Sequence, residues 1–113
     1  MAKYMLLYHA PESAREMMAN ITPEQAKAGM ELWGAWMEKN KGSITDLGAP
    51  LAGSKSVRRD SVADADNSTV SGYTLLEAAS PDAVVKIVQD HPHFQTPGDA
   101  SIEVFEVLAI PGM

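Results

Sequence analysis

Two segments of this chain announce a helix in the same way, and each stands between runs of strand character. Thr22-Pro23-Glu24-Gln25 supplies an N-cap hydroxyl, a proline at the first helical position and a capping-box glutamine. Ser80-Pro81-Asp82 repeats the cap and the proline and adds an acid near the positive end of the helix. Residues 3–9, 69–79 and 100–110 read as strands. Residues 44–51 and 54–58 read as strand pieces broken by Gly48, Pro50 and Gly53. The order is β-α-β-β-α-β. Two strand–helix–strand crossovers around a hairpin predict an α+β fold, the ferredoxin-like sandwich. Both helices then pack on one face of a four-stranded antiparallel sheet, in a single domain over residues 1–113.

The pattern inside each element adds detail. Along residues 3–9 one face carries Tyr4, Leu6 and Tyr8, and the other Met5, Leu7 and His9. A strand that is apolar on both faces belongs inside a sheet. In the first helix Ala26, Met30, Trp33 and Met37 form the stripe expected to pack on the sheet, with Trp36 at its edge and Gly42 as a left-handed C-cap. Residues 12–19 allow a short helical turn, and residues 60–67 read as a polar hairpin tip. The last strand sets Ile102, Val104, Leu108 and Ile110 on one face and Glu103, Phe105 and Val107 on the other. Apolar residues on the face away from the helices require a cover, and a second copy of the chain is the expected one.

Charge and composition exclude several function classes. A net charge of −6 disfavours nucleic acid as a partner, since phosphate binding needs clustered lysine and arginine. The one basic cluster, Lys55, Arg58 and Arg59, is interleaved with Asp60, Asp64 and Asp66. The chain has no cysteine, which rules out disulfides, thiolate metal sites and cysteine nucleophiles. No run is long and apolar enough for a membrane span or a signal peptide, so the expected location is the cytoplasm. The chain has no serine-nucleophile elbow, phosphate loop or dinucleotide fingerprint, and no cofactor is expected.

The opening Lys3-Tyr4-Met5-Leu6-Leu7-Tyr8, the capped tryptophan-bearing helix and Gly48-Ala49-Pro50-Leu51 together resemble the YCII-related family of small bacterial proteins. Gly72-Tyr73-Thr74-Leu75-Leu76-Glu77-Ala78, Ser80-Pro81-Asp82-Ala83 and the stretch from His91-Pro92-His93 to Ile102-Glu103-Val104 complete the likeness. The resemblance implies a dimeric α/β barrel, two sheets facing each other across a two-fold axis, with pockets between sheet and surrounding elements. Many relatives carry an Asp-Gly-Pro-Phe motif in the central hairpin. Here that region runs Ser56-Val57-Arg58-Arg59-Asp60, so no role tied to the motif transfers.

The three histidines, His9, His91 and His93, fall at element ends, where pockets form, and imidazole titrates near neutrality. His9 is the candidate acid/base, with Asp46, Glu77 or Glu103 as possible carboxylate partners across the sheet. Tyr73, His93 and Phe94 are the candidate binding residues, as hydrogen-bond donor, polar contact and apolar wall. His91-Pro92-His93 has two imidazoles but no evident third ligand, and no metal is expected. These residues predict a homodimer with a small-molecule pocket. The alternative is a non-enzymatic regulatory protein that acts through protein contacts.

Overall fold

The computed structural model describes residues 1–95 and 98–112. β1 (Ala2–His9), β2 (Ile44–Pro50), β5 (Val70–Ala78) and β6 (Ser101–Val107) form one antiparallel sheet in the order β2-β5-β1-β6. α2 (Pro23–Asn40) connects β1 to β2, and α3 (Pro81–Val88) connects β5 to β6. This is the ferredoxin-like arrangement. A short α1 (Ala14–Asn20), capped by the Ser13 hydroxyl, precedes α2, and a 3₁₀ turn over Pro92–Gln95 follows α3.

The caps form as their residue types dictate. The Thr22 hydroxyl accepts from the Gln25 N–H at 3.1 Å, and the Gln25 side chain returns the bond to the Thr22 N–H at 3.0 Å. The Ser80 hydroxyl accepts from the Ala83 N–H at 3.2 Å. The core lies between the helices and the face of β1 and β5 that carries Tyr4, Leu6, Tyr8, Leu76 and Ala78. Leu6, Leu76 and Val84 are completely buried. Each such side chain contributes about 1.5–3 kcal/mol through loss of apolar surface to water.

Three expectations are corrected. Trp36, not the Met30/Met37 stripe, is the buried anchor of α2; Met30 is 72 % exposed. The indole N–H of Trp36 needs an acceptor once buried, and it donates to the Ile87 carbonyl of α3 at 3.0 Å, which turns the helix toward that neighbour. Gly42 is not a left-handed cap: α2 ends on Lys41 in right-handed geometry, and Gly42 has no positive φ. The last strand stops at Val107, leaving Leu108 and Ile110 exposed.

The central hairpin also differs from the expectation that residues 54–58 extend the main sheet. β3 (Lys55–Arg58) and β4 (Ser61–Asp64) pair only with each other, with Val57 opposite Val62 and a turn at Arg59-Asp60. Every residue of both strands is exposed. The hairpin projects, and the radius of gyration of 15.6 Å exceeds the roughly 13 Å of a compact chain of this length.

The sheet face away from the helices carries half-buried Met5, Leu7, Tyr73 and Leu75 with exposed Phe105 and Val107. No helix among the described residues is long and apolar enough to cross a membrane.

Candidate functional site: an apolar cleft closed by a buried histidine–tyrosine relay

α1 and α2 do not lie flat on the β2–β5 side of the sheet. Between them and the strands opens a cleft of about 410 Å³. Its helical wall is built from Met17 and Met18 of α1 and Met30, Trp33 and Met37 of α2. The stripe read as core in the sequence is thus a stripe that faces the cleft. The opposite wall is the segment 47–50 of β2 against 71–73 of β5.

Two glycines shape that second wall. Gly48 has φ +81°, and a Cβ there would lie 1.8 Å from the Tyr73 carbonyl oxygen. At Gly72 a Cβ would approach the Ala49 carbonyl oxygen to 3.2 Å and a Tyr8 ring carbon to 3.3 Å. Gly72 stands opposite Tyr8, next to the register shift between Tyr8 and His9. The backbone thus approaches closely at Gly72, beside an irregularity in the β1–β5 pairing.

Tyr8 and His93 also border the cleft. They are held by a chain of hydrogen bonds in which every direction is fixed. The His93 backbone N–H donates to His91 Nδ1 at 2.9 Å, so the neutral ring carries its proton on Nε2. That Nε2–H donates to the Tyr8 hydroxyl at 3.0 Å. Tyr8 donates to the Thr74 hydroxyl at 2.7 Å, and Thr74 donates to the Leu47 carbonyl at 2.7 Å. Thr74 and His91 are 0 % and 1 % exposed.

Burial sets the protonation of the chain. The His91 ring lies 4.2 Å from Trp36, 4.6 Å from Trp33 and 4.9 Å from Tyr8, centroid to centroid. This dry aromatic cage, helped by the nearby His93 and opposed by Asp90, pushes the His91 pKa down to about 3. Burial also pushes the Tyr8 phenol up to about 12, against the opposing bond to Thr74. Both groups are neutral at physiological pH.

His93 is anchored differently. Its Nε2 meets the His9 backbone carbonyl at 2.8 Å; a carbonyl only accepts, so Nε2 carries the proton. In the neutral ring Nδ1 then keeps its lone pair, and no side-chain hydrogen bond of the described residues uses it. His93 is 6 % exposed and borders the cleft.

Of the four residues singled out in the sequence, His93 and Tyr73 border the cleft and His9 and Phe94 do not. His9 lies on the other face of the sheet. Its Nε2 pairs with Glu103 and its Nδ1 bonds the Thr69 hydroxyl at 2.9 Å. Glu103 is therefore the carboxylate that reaches His9, out of the three considered. Phe94 is 48 % exposed. Sequence reasoning missed Tyr8 and Thr74 as polar members of the site. The available signal was a tyrosine and a threonine on strand faces that otherwise carry core residues, since a buried hydroxyl needs a partner. No group of three or more metal-ligating side chains occurs among the described residues.

No family model matches the chain. No curated protein matches it either. Among solved structures, the chain is similar to 5-chloro-2-hydroxyhydroquinone dehydrochlorinase from Burkholderia phenoliruptrix AC1100, determined in complex with 2,5-dihydroxybenzoquinone. The two share 20 % sequence identity over 91 % of each chain, with a TM-score of 0.48.

Proposed function

We propose that this protein binds a small molecule in the cleft and uses His93 as the acid/base there. The observation that carries the reading is an apolar cleft of ligand size bordered by one imidazole, whose proton is fixed on Nε2 by the His9 carbonyl. His9 is better suited to support than to proton transfer. Both of its ring nitrogens are engaged on the opposite face, and its carbonyl holds His93. A protein-contact role alone would leave the cleft without a purpose.

A neutral fluorescent probe, N-phenyl-1-naphthylamine, tests the site without knowledge of the natural ligand. Gly34 borders the cleft, and its missing Cβ points into open space, so Gly34→Leu fills the cleft and also favours the helix. The wild type should bind one probe per chain, quench Trp33 and shift the imidazole nitrogens of His93. Gly34→Leu should bind at least about tenfold more weakly. Equal binding by the two proteins would remove the cleft as the site.

We also infer a homodimer through the sheet face that carries Met5, Leu7, Leu75, Phe105 and Val107, in line with the resemblance to the YCII-related family. An apolar sheet face calls for a cover, and a second copy supplies one. Light scattering at micromolar concentration should give twice the chain mass of 12.1 kDa. A Phe105→Lys variant should shift it toward the monomer, and a monomeric wild type would end the inference.

A further inference from the structure

We propose that the cleft selects an uncharged, planar ring compound with one hydrogen-bond donor at its edge, and seats that donor on His93 Nδ1. The proposal rests on the small-molecule reading above and deepens it.

Shape is the first argument. One wall is built from Leu47, Gly48, Ala49 and Pro50 against Ser71 and Gly72, so short residues dominate it. The facing wall is mostly thioether: four of the seven methionines of the chain, Met17, Met18, Met30 and Met37, line it together with Trp33. Thioethers adapt their shape and make favourable contacts with aromatic rings. Short residues on one side and adjustable, polarisable thioethers on the other suit a flat molecule. At about 410 Å³ the cleft lies near the lower end of ligand-pocket volumes, which fits one or two rings.

Charge is the second argument. Among the described residues, no lysine, arginine, aspartate or glutamate lines the cleft. An ionic ligand would lose its hydration there and gain no counter-charge. The Tyr8 hydroxyl is already committed, accepting from His91 and donating to Thr74. The Ser71 hydroxyl donates to the Tyr8 carbonyl at 3.3 Å. Among the described side chains on this wall, His93 Nδ1 is thus the acceptor left for a ligand, beside the Trp33 indole N–H as a donor.

Direction is the third. Because Nε2–H of His93 is given to the His9 carbonyl, the neutral ring offers Nδ1 as an acceptor. It complements an O–H or N–H on the ligand edge and not a carbonyl or an ether. Such a donor, placed on an imidazole lone pair, is also the proton that a base at this position would take.

Four probes of similar size separate these arguments: 2-naphthol, 2-methoxynaphthalene, 2-naphthoate and 2-decalol. Binding is followed on protein carrying ¹³C-methyl methionine. 2-Naphthol should shift the methyl signals of Met17, Met18, Met30 and Met37 and leave that of Met5, on the other sheet face, in place. It should bind about tenfold or more tightly than each of the other three; for the ether this is the size expected when one buried hydrogen bond is lost. In His93→Leu the preference for the naphthol over its methyl ether should fall to about one.

If 2-naphthoate binds as well as the naphthol, the charge argument fails. If 2-decalol does, planarity fails, and if the ether does, the donor assignment fails. Each of these outcomes overturns the proposal while N-phenyl-1-naphthylamine binding leaves the cleft standing as a site. If none of the four probes moves the cleft methyls and N-phenyl-1-naphthylamine is also not bound, the small-molecule reading falls with it. The comparison among probes uses the wild type alone, so it decides even if His93→Leu does not fold.

Discussion

Acidifying the protein from about pH 6.5 to about pH 4 is expected to remove roughly 3 kcal/mol of stability through His91 alone. The folded state holds this imidazole neutral, with a pKa near 3 in place of the ordinary 6.5. Between those two values the unfolded chain binds a proton that the folded chain refuses. The contribution is therefore complete above pH 6.5 and is lost as the pH falls toward 3, at about 1.4 kcal/mol per unit. The cause is visible in the packing. A charge on His91 would sit among Trp33, Trp36 and Tyr8 with no water, and its Nδ1 would have to give up the bond from the His93 N–H. Urea unfolding at several pH values should show the slope, and His91→Gln, though less stable at neutrality, should show a shallower one. Imidazole NMR gives the direct check: His91 stays neutral at pH 4.5. A His91 ring that titrates near 6.5 in the folded protein would refute this account.

The second large effect is expected at Gly48. Gly48→Ala should cost about 3 kcal/mol or more, because two penalties coincide. The backbone has φ +81°, which side chains disfavour, and the new methyl would overlap the Tyr73 carbonyl at 1.8 Å. That carbonyl is backbone of the adjacent strand and cannot rotate away like a side chain. This irregular stretch of β2 is also fastened by the Gly48 N–H, which donates to the Asp46 carboxylate at 2.8 Å. Relief thus requires β2 to separate from β5 beside the cleft. Gly42→Ala makes a matched control: its Cβ meets nothing within 4 Å, and the change should stay within about 0.5 kcal/mol. Equal melting temperatures for Gly48→Ala and wild type would show that this stretch of β2 relaxes without cost.

Much of the fold was legible because it is written in local chemistry. Thr22-Pro23-Gln25 and Ser80-Pro81 act within one helical turn, and the alternation of Tyr4, Leu6 and Tyr8 against Met5, Leu7 and His9 is a property of one strand. From these the element order and sheet architecture follow. The rotation of α2 was not legible. Met30, Trp33 and Met37 make as good a stripe as any, and only the placement of the Ile87 carbonyl decides that Trp36 turns inward. The site was half legible for the same reason. His93 stands out by type and position, but the residues that orient it come from far along the chain. Tyr8 and His91 are 83 positions apart, and His9 and His93 are 84 apart. His9 drew attention for its ring, whereas the part of it that touches His93 is a backbone carbonyl, which every residue has.

The β3–β4 hairpin sets a different kind of freedom. All its strand residues are exposed, it pairs with neither the sheet nor another strand, and its base is closed by the Ala65 N–H donating to the Ser54 carbonyl at 3.0 Å. The Arg59-Asp60 turn is consequently the point where the chain can be cut, lengthened or rejoined at least cost to everything else. A reporter peptide spliced in there, or new termini opened there by circular permutation, would travel outside the sandwich and leave the cleft intact. For the same reason this arm is where sequence can drift fastest, unconstrained by the core.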